Sequence, residues 1–338
     1  MSTPSKSPAA RPTLRMVADE AGVSAATASY VLSGRRTTAA RGPGASEATR
    51  ERIRQAAQRL GYVPNHAARS MRTGNTQVIQ LSLSMLSDPW SLAVADAVNT
   101  AGRTRDLETM ILADGDWYRA LERRPSDVAF LDSVPDTPLN RERLSTLASH
   151  GQKLVVFSET IEPDGFDVIR SDAAPGGAIA AERLLASHRD IACLTAASVL
   201  ATPPPNRLTG FQHHLSEHGV RPDWIATYDG GEATAFTSAL TLLTASPRPT
   251  AVYATTDFAA IATIHAAHRL GLSVPEDVAV IGLGNTPAGE LTSPTLTTIG
   301  PLDLYSRLAD TVVALAMGER EPGTLHEFPW TLIARESA

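Results

Sequence analysis

TLRMVADEAGVSAATASYVL, residues 13–32, carries an apolar spacing that breaks once, at Gly22, and resumes on a second short segment. Val17, Ala18 and Ala21 give a first helix its inward face, and Gly22 supplies a sharp turn. Ser24 is placed to N-cap a second helix whose Thr27, Ala28, Val31 and Leu32 return to the same core. The pattern is that of a helix-turn-helix. Ala25, Ala26, Ser29 and Tyr30 remain outward on the second helix. A helix presenting small and hydrogen-bonding side chains from its first turns suits the DNA major groove, so the segment predicts DNA binding rather than a plain helical hairpin.

Charge divides the chain at the same end. Residues 1–76 hold 12 Lys and Arg against 4 Asp and Glu, leaving 18 against 32 for the remainder. A basic amino-terminal unit attracts polyphosphate, and an acidic remainder keeps the rest of the protein off the DNA backbone. The lone Cys193, in the apolar run Ile191–Leu194, reads as a small core residue and fits a reducing cytoplasm. MSTPSKSPAAR, residues 1–11, lacks the apolar stretch of a secretory signal and reads as a disordered leader; no later run has the length to span a bilayer.

Beyond the helix pair, SGRRTTAARGPGA (33–45) is a polar loop with three arginines, Arg35, Arg36 and Arg41, either on phosphates or simply solvated. Ser46 then caps a third helix, 47–60, whose Ile53, Ala56, Ala57 and Leu60 close a small core before Gly61 stops it. The head therefore spans 12–62. Residues 63–75 form a linker whose helix-compatible segment has too little apolar surface to be stable alone and would fold on DNA.

From Gln77 short apolar runs alternate with amphipathic helices, the pattern of parallel sheets covered on both faces. Strands are expected near 78–84, 108–113, 128–131, 154–158, 191–195, 224–228, 251–254 and 278–282, with helices over 92–103, 141–150, 175–186, 207–218, 236–245, 258–270 and 304–317. So many units exceed one ordinary sheet. The fold class is therefore α/β, an all-α head joined to a core (76–338) of two doubly wound lobes, with ligands at the carboxyl ends of the strands. The first lobe takes about 76–172 and 302–320, the second about 173–301 and 321–336.

The order of these parts resembles the LacI/GalR family of transcriptional regulators, from Pro12 to Ser337. The resemblance rests on VADEAGVSAATAS (17–29), SEATRERIRQAAQRLGYVPN (46–65), SDPW (87–90), RLTGF (207–211) and LGLSVPEDVAVIG (270–282). It implies a homodimer whose heads bind a palindromic operator in double-stranded DNA, hinge helices in the minor groove, and a periplasmic-binding-protein-like core that senses a small molecule, a sugar or related metabolite. Carried over by position, Ala25 and Ala26 stand where the family reads base edges. Thr13, Ser24, Thr27, Ser29, Ser46, Thr49 and Asn65 stand where it holds phosphates, and Leu14, Tyr30, Arg69 and Arg72 complete the surface. Met71 occupies the position of the leucine wedge that kinks the duplex.

In the core, the resemblance places Arg207 where the family grips its effector, and a guanidinium in a cleft suits bidentate contact with hydroxyls or a carboxylate. Trp90 and Leu92 supply an apolar wall, Glu159 a second polar contact, and Thr256 and Asn285 stand at the remaining pocket positions. Departures from the pattern are informative. Tyr30 replaces an arginine, the loop after the second helix is long, and the segment between Leu112 and Val128 is short, trimming one helix. Gly284 stands where the family carries an aspartate, so the pocket has lost a carboxylate that normally accepts two sugar hydroxyls. Asp257 reads as the cap of the helix beginning at Phe258.

Other chemistries find little support. The glycine pattern begun by Gly282 and Gly284 ends at Pro287, so no dinucleotide or phosphate loop results and no cofactor is implied. His213, His214, Glu217 and His218 lack a convincing third zinc ligand and read as a solvated helix face. No nucleophile elbow or acid/base pair appears, which argues against an enzyme. A secreted solute-binding protein of the same fold would carry a signal peptide and no basic head.

Overall fold

A computed structural model describes residues 12–32, 45–63, 74–113, 115–170, 173–202, 204–221 and 224–338. The leader 1–11, the loop arginines Arg35, Arg36 and Arg41, and the linker residues Asn65, Arg69, Met71 and Arg72 lie outside the described residues. The chain divides into two compact units, residues 1–76 and 77–338.

In the first unit, α1 (Leu14–Ala21), α2 (Ala25–Leu32) and α3 (Glu47–Leu60) pack around Val17, Ala18, Ala21, Ala28, Ile53, Ala56 and Ala57. Each boundary has a local cause. The Thr13 and Ser46 hydroxyls accept from the amides of Met16 and Thr49 at the starts of α1 and α3. Gly22 and Gly61 end those helices at φ 65° and 64°, where a Cβ would strain the backbone. Burying Ile53 completely is worth ~1.5–3 kcal/mol in so small a core.

The second unit contains two six-stranded sheets. The first runs β11-β5-β4-β3-β1-β2, built from β1 (Val78–Leu83), β2 (Glu108–Ala113), β3 (Val128–Leu131), β4 (Leu154–Ser158), β5 (Asp167–Arg170) and β11 (Leu325–His326), all parallel. The helices α4 (Pro89–Arg103) and α12 (Leu304–Ala316) cover one face; α5 (Trp117–Arg123) and α6 (Pro138–Ser149) cover the other. The second runs β12-β10-β9-β8-β6-β7, from β6 (Ile191–Ala196), β7 (Ile225–Tyr228), β8 (Ala251–Ala254), β9 (Ala279–Leu283), β10 (Thr297–Gly300) and the antiparallel edge strand β12 (Thr331–Ile333). Here α10 (Glu232–Leu243) and α11 (Asp257–Arg269) pack on one face, and α7 (Ala173–Leu185) and α9 (Arg207–Glu217) on the other; α8 (Ala197–Leu200) is a single turn after β6. Cys193 is buried in this second lobe, and burial pushes its thiol well up.

The expected strands match the apolar runs; the central ones are apolar because they are covered on both faces, whereas the edge strands β2 and β7 are largely uncovered. Four further strands, β5, β10, β11 and β12, escape that reading: they are two to four residues long and carry Asp167, Arg170, Thr297, Thr298 and Thr331. The lobe boundary is corrected as well. Residues 321–328 were expected in the second lobe, yet Leu325 and His326 pair with Val168 and Ile169 of the first sheet, and Phe328 packs into the first lobe's core. Asp167 holds this third crossing in place. Its buried carboxylate accepts from the amides of Gly323 and Thr324 and pairs with Arg320 at 2.6 Å and His326 at 2.8 Å. Despite burial, those bonds keep its pKa below the usual value.

Candidate functional site

The head presents its polar set as a surface. Thr13, Ser24, Ala25, Ala26 and Ser46 are exposed, and Thr27, Ser29, Tyr30 and Thr49 are partly so. Ser24 Oγ accepts from the Thr27 amide at 3.1 Å and shares a hydrogen bond with the Thr27 hydroxyl at 2.8 Å; Ser46 and Thr49 repeat the arrangement at 3.2 and 2.9 Å. Two helix amino termini are thus fixed with hydroxyls at their tips, a geometry suited to phosphate oxygens. Leu14 packs against the head's core, as do Val31 and Leu32, whereas Thr27, expected to join them, turns its hydroxyl to Ser24 instead.

In the second unit the carboxyl ends of the strands bring another polar set together. Arg207, the first residue of α9 in lobe 2, places Nη2 2.9 Å from Glu159 Oε1, which follows β4 in lobe 1, and donates from Nη1 to the Thr255 carbonyl at 3.1 Å. The two side chains are only 19% and 18% exposed. Burial opposes the Arg207 charge, but Glu159 more than compensates and holds its pKa up. Arg170 fixes the acid's backbone by donating to the Glu159 carbonyl at 2.7 Å. Arg207 itself is set by a close helix crossing: a Cβ on Gly177 of α7 would lie 2.2 Å from the Arg207 carbonyl oxygen, and one on Gly210 would lie 2.0 Å from the Ala174 carbonyl.

Around this pair stand residues that the sequence reading did not single out. Asp88 caps α4 by accepting from the Trp90 amide at 2.9 Å. Burial, with Asp132 and Asp257 nearby, raises its pKa to about 6 against the pull of Arg207. Asp132, after β3, accepts from the Ser84 hydroxyl at 2.9 Å and the Ser133 hydroxyl at 2.8 Å, and burial raises it too. The Tyr228 hydroxyl lies 3.3 Å from that of Thr256. Tyr305 of α12 donates across the lobes to the Gly284 carbonyl at 3.4 Å. Asp88 lies in the SDPW run, which pointed to the family but gave its carboxylate no role; the sequence signal for Asp132 was its position after a strand of the first sheet.

The expected pocket residues are unequally placed. Trp90 packs against the first lobe's core, its ring 4.8 Å from that of Phe157 and 6.2 Å from that of Phe130. Leu92 does not join that packing; it is 57% exposed and outside the cluster that Trp90 and Phe157 join. Thr256 caps α11 by accepting from the Ala259 amide, so Asp257 is the first helical residue and not the cap. The buried Asp257 carboxylate instead accepts from the amide and hydroxyl of Thr286 and from the Thr298 hydroxyl, pinning the loop after β9. Asn285 in that loop spends its amide on the Pro301 carbonyl at 3.1 Å and its oxygen on Arg335 at 3.2 Å. Gly284 sits at φ 139°, a conformation closed to side chains, so the missing aspartate is built into the backbone path. A separate groove of about 540 Å³ is lined by Pro89, Phe258, Ile261 and Leu291 together with the polar Glu232, His265 and His268. The rings of His214 on α9 and of His218, which ends that helix, lie 4.6 Å apart, and among the described residues no three His, Cys, Asp or Glu converge as a metal site.

Comparison with known proteins agrees with this architecture. The family of bacterial regulatory proteins named after lacI matches residues 13–65, and a periplasmic binding protein-like domain matches residues 181–338. The chain is 29% identical over 339 residues to the HTH-type transcriptional repressor PurR of Edwardsiella ictaluri, with 96% of each chain covered, and 29% identical over 326 residues to that of Photobacterium profundum, with 93% of each covered. Among solved structures, the transcriptional regulator CelR in complex with cellobiose is 26% identical at a TM-score of 0.61, covering 97% of this chain and 100% of that one. The lac repressor dimer bound to operator and the anti-inducer ONPF shares the fold at 21% identity and a TM-score of 0.73, covering 97% and 99%. A head of this sequence joined to a two-lobed core, similar over nearly its whole length to known repressors, makes the chain a DNA-binding transcriptional regulator of the LacI family.

Proposed function

We propose that the protein is a homodimeric repressor in the cytoplasm whose affinity for a palindromic operator is set by a small molecule held between the two lobes, and that it has no catalytic role. The observation that carries this reading is the shielded Arg207–Glu159 pair, which joins the carboxyl ends of both sheets at the place where a two-lobed core closes on its ligand. Glu159 and Arg207 are the polar grip of that ligand, Trp90 and Phe157 its wall, and Thr256 its flank beside Tyr228. Leu92 and Asn285 take little part: one faces solvent and the other is spent on the protein.

In the head, Ala25 and Ala26 approach base edges. Thr13, Ser24, Thr27, Ser29, Ser46 and Thr49 hold phosphates, and Leu14 and Tyr30 support that surface. By the family's pattern Asn65, Arg69, Met71 and Arg72 belong to a minor-groove hinge over 63–75, with Met71 as its wedge. Exposed apolar side chains at Met110 and Ile111 of the edge strand β2 supply surface for a second copy. Selecting bound sequences from random DNA and then titrating candidate metabolites into the complex tests the reading. It predicts a two-fold symmetric site and at least one metabolite that shifts affinity. An asymmetric site, or Arg207→Ala leaving that shift untouched, contradicts it.

A further inference from the structure

We propose that the effector of the interlobe cleft is a hydroxylated cation, a small molecule bearing a protonated amine, held by Asp88 and Asp132; this deepens the reading of the cleft as the effector site and rests on it. The first sheet delivers carboxylates from three adjacent strands, in the order β4, β3, β1: Glu159, Asp132 and Asp88. Facing them, the second lobe offers one guanidinium, Arg207. Its charge is already matched by Glu159 at 2.9 Å, and its other hydrogen bond goes to a backbone carbonyl.

That leaves Asp88 and Asp132 without an ion pair of their own: the field of Arg207 reaches both, but does not offset their burial. Asp88 accepts the Trp90 amide on Oδ1 alone, and Asp132 rests on two serine hydroxyls and a backbone amide, with no Lys, Arg or His paired to either among the described residues. The neighbouring arginines are committed elsewhere: Arg170 to Glu162 and the Glu159 carbonyl, Arg141 to Asp136, Arg335 to Glu290. Two shielded carboxylates that repel each other are stabilised most by a positive charge placed between them. A neutral polyol would satisfy their lone pairs but leave the repulsion. An anion would have to take Arg207 from Glu159 and then sit beside two like charges, so Glu159 acts as a filter that reserves the cleft for ligands without negative charge. The loss of the second lobe's carboxylate at Gly284 concentrates acceptor capacity on lobe 1, which orients the amine toward Asp88 and Asp132. Trp90 and Phe157, 4.8 Å apart, add aromatic faces for the ligand's body.

The test uses the full chain and ligand sets matched in shape but not in charge: D-glucosamine, D-glucose and glucose 6-phosphate, together with protonated Tris and neutral pentaerythritol. Thermal shift ranks them at pH 7 and calorimetry gives the dissociation constants of those that bind. The amine member of at least one set is expected to bind at least tenfold more tightly than its neutral partner, with the phosphate not bound. Asp88→Asn and Asp132→Asn, isosteric changes whose folding is checked by circular dichroism, should each cut that preference at least threefold. Neutral members binding as well as amines, while Arg207→Ala weakens both, would overturn the charge proposal and leave the cleft as the effector site. Amine binding indifferent to Asp88→Asn, Asp132→Asn and Arg207→Ala alike would overturn both readings. Failure of every amine to bind would overturn the proposal as well.

Discussion

Replacing Asp88 by Asn should stabilise the ligand-free core at neutral pH. The carboxyl's pKa is raised from 3.8 to about 6, by burial first and then by Asp132 and Asp257, with the Trp90 amide and Arg207 opposing; Tyr228 and Tyr305 also face it. The folded state thus binds the proton more tightly than the unfolded chain. Between those two values stability falls as pH rises, and above about 6 the whole cost of the ionised group is borne. Each tenfold change in proton affinity is worth ~1.4 kcal/mol, so the distance from 3.8 to about 6 sets a ceiling of about 3 kcal/mol. Partial exposure of the side chain reduces this to ~1–2 kcal/mol. Asn retains the oxygen that accepts from Trp90 and caps helices about as well as Asp, so the cap is kept. For a unit of this size the gain corresponds to roughly 2–4 °C in Tm. Calorimetric melting of both proteins at pH 7 and pH 4 measures it: the variant's advantage should be largest at pH 7 and shrink toward pH 4, as the wild-type carboxyl takes up its proton. A variant no more stable at pH 7, or an advantage independent of pH, would refute the reasoning.

Three further outcomes follow from the same geometry. Arg207→Ala should abolish the effector's influence on DNA affinity while leaving ligand-free DNA affinity within about threefold, because Arg207 belongs to the core unit and is not among the head residues that face DNA; titration of the complex with a binding metabolite checks it. Gly177→Ala should cost ~2 kcal/mol or more by forcing α7 from α9, since its Cβ would meet the Arg207 carbonyl at 2.2 Å, and should weaken ligand binding as well; denaturant unfolding and calorimetry read the two effects. Ser24→Ala should cost ~1 kcal/mol through the lost cap on α2 and lower DNA affinity several-fold, whereas Ser24→Asp should restore the cap but not the affinity; melting and fluorescence anisotropy separate the two.

The fold was readable where one physical requirement dominates the residues. Gly22 and Gly61 mark helix ends because only their conformation fits there, and runs such as Val128–Leu131 mark strands buried on both sides. Legibility failed where a segment's structure comes from its neighbours: β11, two residues long, exists because Asp167 ties the amides of Gly323 and Thr324. The pocket divides in the same way. Arg207 and Glu159 were legible through motif and strand position, and they meet. Asp88 sits in the SDPW run, which assigned no role to its carboxylate, Asp132 carries no motif, and the two become neighbours only when β1 and β3 pair. Asp257 was misread because a helix-start acid resembles a cap, although Thr256 next to it does that work and frees the carboxylate to hold Thr286 and Thr298.

The proposed repressor reads a two-fold symmetric DNA site through paired basic heads. Fluorescence anisotropy of the full chain on its selected palindrome, on a single half-site and across a salt series tests that most directly. Binding to the half-site should be at least a hundredfold weaker, and affinity should fall steeply and log-linearly with salt, as expected when several phosphates are neutralised. Equal affinity for palindrome and half-site, with a flat salt response, would contradict it.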